Sequence, residues 1–194
     1  MNFLAHIYLS GTNDFVKIGN FMADGIRGKD YLNFSDDIKK GILLHRNIDT
    51  FTDAHPIFRK SKHRLHENYG HYSGVIIDIF YDHFLAKNWT VYSNEKLHDF
   101  TQNFYQLLEH NFDVLTQKTQ KMLPYMMQYN WLESYQTLDG IEKILIQMDA
   151  RTKNQSKMRF SIAELNLYYI NFEQEFTSFF EEITVFTTEK LKTL

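Results

Sequence analysis

Hydrophobic residues recur along much of the chain at steps of three and four, the spacing that places them on one face of an α-helix. The longest such stripe runs from Ile162 to Phe186, and Ser161 followed by Glu164 predicts a capping box where it begins. Further helices are predicted at about 95–112, 119–133 and 138–150. No segment alternates convincingly with the period of two expected of a strand. The pattern therefore predicts an all-α fold.

Caps and helix breakers locate three more helices in the first half of the chain. Ser35 can cap the first, Pro56 fits the first turn of the second and Ser73 can cap the third. Their approximate spans are 38–51, 56–70 and 75–85. The third also has the β propensity of a strand, because Val, Ile, Phe and Tyr dominate it. We expect a single domain over 1–194, a helical bundle of about seven to nine helices.

The composition excludes several classes of function. Hydrophobic residues make up 43% and charged residues 23%, as in an ordinary globular protein, and 21 basic against 24 acidic side chains argue against nucleic-acid binding. The absence of cysteine excludes disulfides and leaves histidines and carboxylates to hold a metal. No charged leader precedes the short apolar start, and no run approaches the roughly 20 apolar residues of a membrane helix. We expect a cytoplasmic protein that binds neither nucleic acid nor membrane.

Residues of the types that ligate metals are concentrated in the first half. His45, Asp49 and Asp53 are spaced four apart, so on a helix they share one face and point toward partly buried surroundings. His45 and Asp49 could therefore hold one cation together, and His55 could approach it from the following turn. The alternative is an ion pair on the surface of the helix.

A second pair, Asp78 and Asp82, has the same spacing inside a strongly apolar segment. An unpaired carboxylate buried there would cost several kcal/mol, so both need cations. A metal would serve, and so would a buried ion network with Arg46 and Arg64. His83 lies 100° round the helix from Asp82 and could reach such a site from its edge.

Three more features remain open at this stage. Asp24 shares a predicted helix face with Asn20, and His6 lies on a short apolar segment of its own. His6 is either a metal ligand or a histidine satisfied within the core. The adjacent pair His98 and Asp99 lies among polar residues, which indicates an exposed surface.

Mixed histidine and carboxylate ligands favour Mn²⁺, Mg²⁺, Fe²⁺ or Zn²⁺ over a structural zinc of the cysteine type. A carboxylate-rich site of this kind suits hydrolysis of a phosphate ester, in which a metal activates water. The competing hypothesis is a helical binding module in which the same groups form ion pairs.

At these residues the sequence resembles the acyl carrier protein phosphodiesterase family, a divergent relative of the HD-type metal phosphohydrolases. The resemblance rests on ordered blocks within residues 1–89, while the later residues match only in length and helicity. The blocks are Met1–His6, Gly19–Asp24, Gly41–Asp49, Phe51–Pro56 and Gly74–Ala86, closing on Trp89.

The resemblance implies an HD-like fold and hydrolysis of the phosphodiester that joins 4′-phosphopantetheine to a serine of holo-acyl carrier protein. The products would be apo-acyl carrier protein and 4′-phosphopantetheine, with a divalent cation, Mn²⁺ or else Mg²⁺ or Fe²⁺, activating the water. Arg46 is expected to hold a phosphate oxygen, and His55 or His83 to protonate the leaving serine oxygen. The expected metal ligands are Asp24, His45, Asp49, Asp78 and Asp82, with His6.

One departure from the HD pattern and one competing function remain open. The chain reads Asp82-His83, the reverse of the His-Asp order that names the HD proteins. A metal-dependent phosphohydrolase acting on nucleotides or another small phosphate ester is the alternative function.

The implied partner is acidic, so a protein of formal charge −3 needs a local basic surface to meet it. Lys60, Lys62 and Arg64 follow the His55-Pro56 turn and are the preferred docking residues. The basic stretch from Arg151 to Arg159 is the alternative.

Overall fold

The computed structural model describes residues 1–194 and contains twelve α-helices and no strand, which confirms the all-α prediction. None of the twelve combines the length and apolar composition needed to cross a membrane. The helices are α1 (Phe3–Tyr8), α2 (Asp14–Met22), α3 (Asp36–Ala54), α4 (Pro56–Tyr69), α5 (Ser73–Lys87), α6 (Trp89–Tyr92), α7 (Leu97–His110), α8 (Gln117–Gln128), α9 (Trp131–Ser134), α10 (Leu138–Arg151), α11 (Ile162–Leu167) and α12 (Tyr169–Thr193).

The first-half helices begin and end close to where the caps and breakers predict. Pro56 is the first residue of α4, and Gly70, with a φ of +52°, ends it. The ambiguous segment 75–85 is helical, within α5. Its β-branched residues do not make a strand because α5 is buried over most of its surface, and a helix that is apolar on nearly every face is a core helix.

Two predicted helices are each broken in two. The stripe from Ile162 to Phe186 is interrupted at Tyr168, between α11 and α12. The predicted capping box is wrong, because the Ser161 hydroxyl donates to the Met158 carbonyl and the Glu164 carboxylate accepts from the Tyr69 hydroxyl at 2.8 Å.

The predicted helix over 119–133 is divided between α8 and α9. Asn130 lies between them with a φ of 43°, a left-handed conformation that ends a helix.

One continuous core contains the buried hydrophobic residues of all the longer helices. At its centre α12 lies against α5, and phenylalanines of α12 pack on aromatic side chains of α5. Representative pairs are Phe172 with Phe80, Phe176 with Phe84 and Phe179 with Tyr81. The remaining helices pack around this pair.

Helices α2 and α3 approach unusually closely, and two glycines allow it. A Cβ on Gly19 would collide with the Ile38 carbonyl, and one on Gly41 would collide with the Val16 carbonyl. The close approach brings Asn20 of α2 against His45 of α3, where the predicted chemistry lies.

Candidate metal centre

The structure brings two histidines and one carboxylate, from helices α1 and α3, into one cluster. His6 comes from α1, while His45 and Asp49 lie one turn apart on α3, and their ligand atoms lie within 4.8 Å of one another. Asp24, in the 3₁₀ turn after α2, adds an oxygen 3.3 Å from His45 Nε2. Four of the six residues predicted to bind metal therefore lie together.

Asn20 orients both imidazoles, a role that the sequence alone did not indicate. Its side-chain NH₂ donates to the His6 carbonyl at 3.0 Å and to Ser10 Oγ at 2.8 Å. Its oxygen therefore faces the rings and accepts from Nδ1 of His6 at 2.8 Å and Nδ1 of His45 at 3.1 Å. With Nδ1 carrying a hydrogen on each ring, the Nε2 atoms of both imidazoles are left to face Asp49.

The spacing of these ligand atoms fits a small divalent cation. His6 Nε2 lies 3.4 Å from Asp49 Oδ1, and His45 Nε2 lies 3.2 Å from Asp49 Oδ2. Nitrogen and oxygen ligands lie about 2.0–2.2 Å from such an ion, which separates neighbouring ligands by roughly 3.0–3.5 Å. The two rings are stacked, with centroids 4.1 Å apart, and their Nε2 atoms contact the two oxygens of the same carboxylate.

Charge at the cluster is uneven between the two histidines. Burial lowers the pKa of His6, and the neighbouring His45 lowers it further. Burial also opposes the charged form of His45, but hydrogen bonds to Asp24 and Asp49 outweigh it and raise the pKa of His45 to about 9. The same hydrogen bonds lower the pKa of Asp49 despite its desolvation. Without a metal, His45 thus carries an additional proton, which a bound cation would displace.

The cluster lies in a cavity of about 490 Å³ that opens to solvent. His6 and His45 are buried, whereas the side chains of Asp49 and Asp24 are 49% and 59% exposed. Asp53, predicted to extend the face of His45 and Asp49, lines the same cavity outside the three-residue cluster. The carboxylates are therefore accessible to a ligand while the imidazoles are fixed behind them.

Asp82 has a different set of partners from those predicted. It is fully buried, which raises its pKa to about 7, and its carboxylate lies at the start of α1, where the N-terminal amino group and free backbone N–H groups act in the opposite direction and favour the charged form. It accepts hydrogen bonds from the backbone N–H groups of Asn2, Leu4 and Ala5, at 3.1, 2.8 and 3.4 Å. The geometry does not support Asp82 as a metal ligand, because both of its oxygens bind the backbone.

Asp78 also contacts the beginning of the chain. Its carboxylate pairs with the amino group of Met1 at 2.6 Å, and both residues line the cavity. It is not one of the clustered ligands, so the predicted ion network with Arg46 and Arg64 is replaced here by the amino group.

The three residues predicted to be catalytic lie away from the cavity lining. The Arg46 guanidinium donates to the Ile26 carbonyl at 3.3 Å and lies over the Tyr31 ring. His55 caps α4 through the Ile57 N–H and pairs with Glu182 at 3.1 Å. We therefore base no catalytic role on either residue.

The third, His83, is held by both ring nitrogens. Nδ1 contacts the Tyr135 carbonyl and Nε2 the Tyr169 hydroxyl, each at 2.8 Å. This geometry makes His83 a buried link between α5, the residue that follows α9, and α12, and does not support a role as the acid.

The basic residues after the His55-Pro56 turn are partly neutralised. Arg64 forms two hydrogen bonds with the buried Glu175, at 2.7 and 2.8 Å, and Lys60 lies 3.2 Å from the same carboxylate. Lys62 forms no ion pair, and its side chain lies beside Gly74, next to the cavity-lining Val75.

Sequence reasoning missed the opposite wall of the cavity, which comes from α8, α9 and α10. Lys118, Trp131, Tyr135 and Arg151 line it, together with several apolar side chains. Of these four, the sequence singles out only Arg151, as the first residue of the alternative docking stretch. No spacing marks the others, since ordinary amphipathic helices carry them.

The chain matches the family model described as "Acyl carrier protein phosphodiesterase" over residues 1–183. Relatives of that name include proteins from Photorhabdus laumondii, 31% identical over 181 residues (93% of this chain and 91% of the relative), and Pectobacterium atrosepticum, 29% identical over 181 residues (93% and 94%). A third, from Yersinia enterocolitica, is 30% identical over 182 residues, again 93% and 94%. No solved structure matches the chain. The resemblance predicted from the first 89 residues is thus confirmed along nearly the whole length, and the chain belongs to the acyl carrier protein phosphodiesterase family.

Proposed function

We propose that this protein hydrolyses the phosphodiester linking 4′-phosphopantetheine to serine of holo-acyl carrier protein, with a divalent cation held by His6, His45, Asp49 and Asp24. The family supports the reaction, and one observation supports the site. Asn20 fixes two imidazoles so that both Nε2 atoms face one accessible carboxylate. Mn²⁺ is the preferred ion, with Mg²⁺ or Fe²⁺ as alternatives.

A divalent cation bound there lowers the pKa of a water molecule and stabilises negative charge on phosphoryl oxygens. The chain's own residues prepare the site for that ion. Asn20 keeps the Nδ1 hydrogens in place, Asp49 supplies negative charge between the two rings, and Asp24 supplies a further oxygen. A hydrogen bond that orients a histidine ligand through its other ring nitrogen typically raises metal affinity tenfold to a hundredfold.

The opposite side of the cavity suits an anionic substrate. Lys118 and Arg151 line it, and neither forms an ion pair with a carboxylate of the protein. Their positive charge offsets the carboxylates at the opening and attracts a phosphodiester. They replace Arg46 as the proposed phosphate-binding residues.

For the carrier protein itself, we propose docking beside the cavity at Lys62. Lys60 and Arg64, predicted with it, are engaged by Glu175 and contribute less net positive charge. Lys62 lies beside Gly74 at the edge of the cavity, close to where the arm would enter. Charge complementarity there would mainly raise the association rate and orient the acidic partner.

The test uses chelator-treated protein to which Mn²⁺, Mg²⁺ or Fe²⁺ is returned separately. Holo-acyl carrier protein is the substrate, and mass spectrometry measures the formation of the apo form and of 4′-phosphopantetheine. We expect turnover only with added metal. Nucleotides and a generic phosphodiester are assayed in parallel, since faster turnover of a nucleotide would favour the alternative phosphohydrolase.

A matched pair of variants separates the site from the surface. His45→Gln should abolish turnover, whereas His98→Ala should leave it within a few-fold of the wild type because His98 is exposed and contacts only Glu133. Metal-free protein that is fully active on holo-acyl carrier protein would overturn the metal site. A folded, metal-loaded protein without activity on it would overturn the proposed substrate.

A further inference from the structure

Helix α10 presents one continuous face to the cavity. Ile144, Gln147, Met148 and Arg151 are spaced by three and four residues, and all four line it. Three of them form a surface of mixed apolar and amide character, and Arg151 ends it with a charge. This face lies in the same cavity as the histidine cluster, so a substrate at the cluster would extend along it.

The charged end of this wall is free to bind an anion. The Arg151 guanidinium lies over the Trp131 ring, 5.6 Å from its centroid, and has no carboxylate partner. Stacking on an aromatic ring fixes the plane of a guanidinium while leaving its N–H groups available. A monoanionic phosphodiester matches the unpaired charges of Arg151 and Lys118.

Deeper in the cavity, Tyr135 supplies an uncharged polar group. Only 2% of Tyr135 is exposed, and its hydroxyl forms no hydrogen bond within the protein. Burial raises its pKa well above 10, so the phenol stays neutral and can donate a hydrogen bond. The Tyr135 hydroxyl can therefore donate to a ligand carbonyl. The Nε1 of Trp131 in the same lining is buried without a hydrogen-bond partner, which costs free energy that a ligand carbonyl or hydroxyl group would recover.

We propose that the wall of α8–α10 is the binding subsite for the pantetheine arm, with Met148 and Ile144 contacting its methyl and methylene groups and Tyr135 and Gln147 its amides. This inference rests on the proposed function and extends it to residues that hold the uncharged part of the substrate. The arm is a chain of apolar and amide groups that ends in a phosphate. Helix α10 likewise carries the apolar and amide side chains of Ile144, Gln147 and Met148, followed by the charge of Arg151.

The experiment measures binding of three probes by calorimetry to Mn²⁺-supplemented protein: 4′-phosphopantetheine, pantetheine and inorganic phosphate. None of them is turned over, so the readout is independent of activity. The larger side chain of Met148→Trp should occupy the space beside the wall. It should weaken the binding of 4′-phosphopantetheine at least about tenfold, while the affinity for phosphate changes much less. Ile146→Trp, on the solvent side of the same helix, should bind like the wild type, because Ile146 is not in the cavity.

A conservative variant guards against misfolding. Tyr135→Phe keeps the ring and removes only the hydroxyl. It should weaken the binding of pantetheine several-fold and leave the circular dichroism spectrum unchanged. Equal losses of phosphate and 4′-phosphopantetheine in Met148→Trp, or unchanged pantetheine binding in both wall variants, would overturn the subsite. Wild-type protein that binds the arm as expected but does not hydrolyse holo-acyl carrier protein would instead overturn the proposed function and leave the subsite standing.

Discussion

Two pairs of ligand-type residues with identical spacing have opposite surroundings in this protein. His45 and Asp49 on α3 and Asp78 and Asp82 on α5 are each one turn apart, and each faces the beginning of the chain. The first pair meets the side chain of His6 and lies open in a cavity. The second meets the amino group and backbone N–H groups of the first residues, and Asp82 is completely buried.

The difference shows what spacing alone conveys. Residues four apart share a helix face, but the group opposite that face decides what they bind. Opposite α3 lie an imidazole and an oriented amide, which leave ligand lone pairs free. Opposite α5 lies the N-terminus of α1, whose backbone N–H groups donate hydrogen bonds to both oxygens of Asp82.

The largest expected effect is the loss of activity when Asp49, the exposed carboxylate of the first pair, is substituted. Asp49→Asn keeps the shape of the side chain and removes the charge between the two imidazoles. We expect turnover of holo-acyl carrier protein to fall at least about 1000-fold, or about 4 kcal/mol in the activation barrier. The circular dichroism spectrum should be unchanged, while urea unfolding of the metal-free protein should show the loss of the part of the His45 contribution that depends on Asp49. Retention of most of the turnover would remove Asp49 from the site.

The second prediction concerns stability, at Asp82. Asp82→Asn replaces one accepting oxygen by an NH₂ group that faces backbone donors, so buried N–H groups of α1 lose their partner. We expect a loss of about 2–4 kcal/mol in the free energy of unfolding by urea. A variant of wild-type stability that had lost its affinity for Mn²⁺ would show that Asp82 is a metal ligand after all.

The third prediction is a pH dependence of metal-free protein. The pKa of His45 is raised to about 9 from an ordinary value near 6.5, so its contribution to stability is complete below about pH 6.5. It is lost as the pH rises to about 9, at most about 3 kcal/mol in the free energy of unfolding. Urea unfolding between pH 6 and 9.5 measures it. His45→Gln should show a smaller decline, and an equal decline in both proteins would assign the effect to another group.

The smallest expected effect lies at the docking surface. Lys62→Glu should raise KM for holo-acyl carrier protein about tenfold at low salt, with the difference shrinking as salt is added. Lys121→Glu, on the exposed surface of α8 outside the cavity lining, is the matched charge reversal. The same rise in KM for both variants would indicate general repulsion of an acidic partner and no specific docking at Lys62.

Much of the fold followed from the pattern of apolar residues. Pro56 and Gly70 bound a helix as predicted, and the apolar segment 75–85 is helical. The break at Tyr168 was not foreseen, because the apolar spacing continues across it. Only the hydrogen bonds of Glu164 with Asn68 and Tyr69 of α4 show that α11 is anchored separately. Local sequence patterns indicate which face of a helix is buried and where the helix ends, whereas a break such as the one at Tyr168 depends on tertiary contacts.

The candidate site was predicted in part. Ligand-type residues and the family resemblance brought His6, Asp24, His45 and Asp49 forward, and they lie together. The orienting Asn20 was noticed only as a neighbour of Asp24, because a side-chain amide within a helix carries no signal of its own. The wall with Tyr135 and Arg151 comes from sequence without motifs, and only the packing of α8–α10 over the cluster identifies it.

The central claim is that His6, His45, Asp49 and Asp24 form a metal site on which hydrolysis depends. Calorimetric titration of chelator-treated protein with Mn²⁺, paired with turnover of holo-acyl carrier protein at each Mn²⁺ concentration, tests it most directly. We predict that turnover rises in step with occupancy, and that His45→Gln loses both while His98→Ala keeps both. Full turnover at zero occupancy, or Mn²⁺ binding that is unchanged in His45→Gln, would contradict the claim.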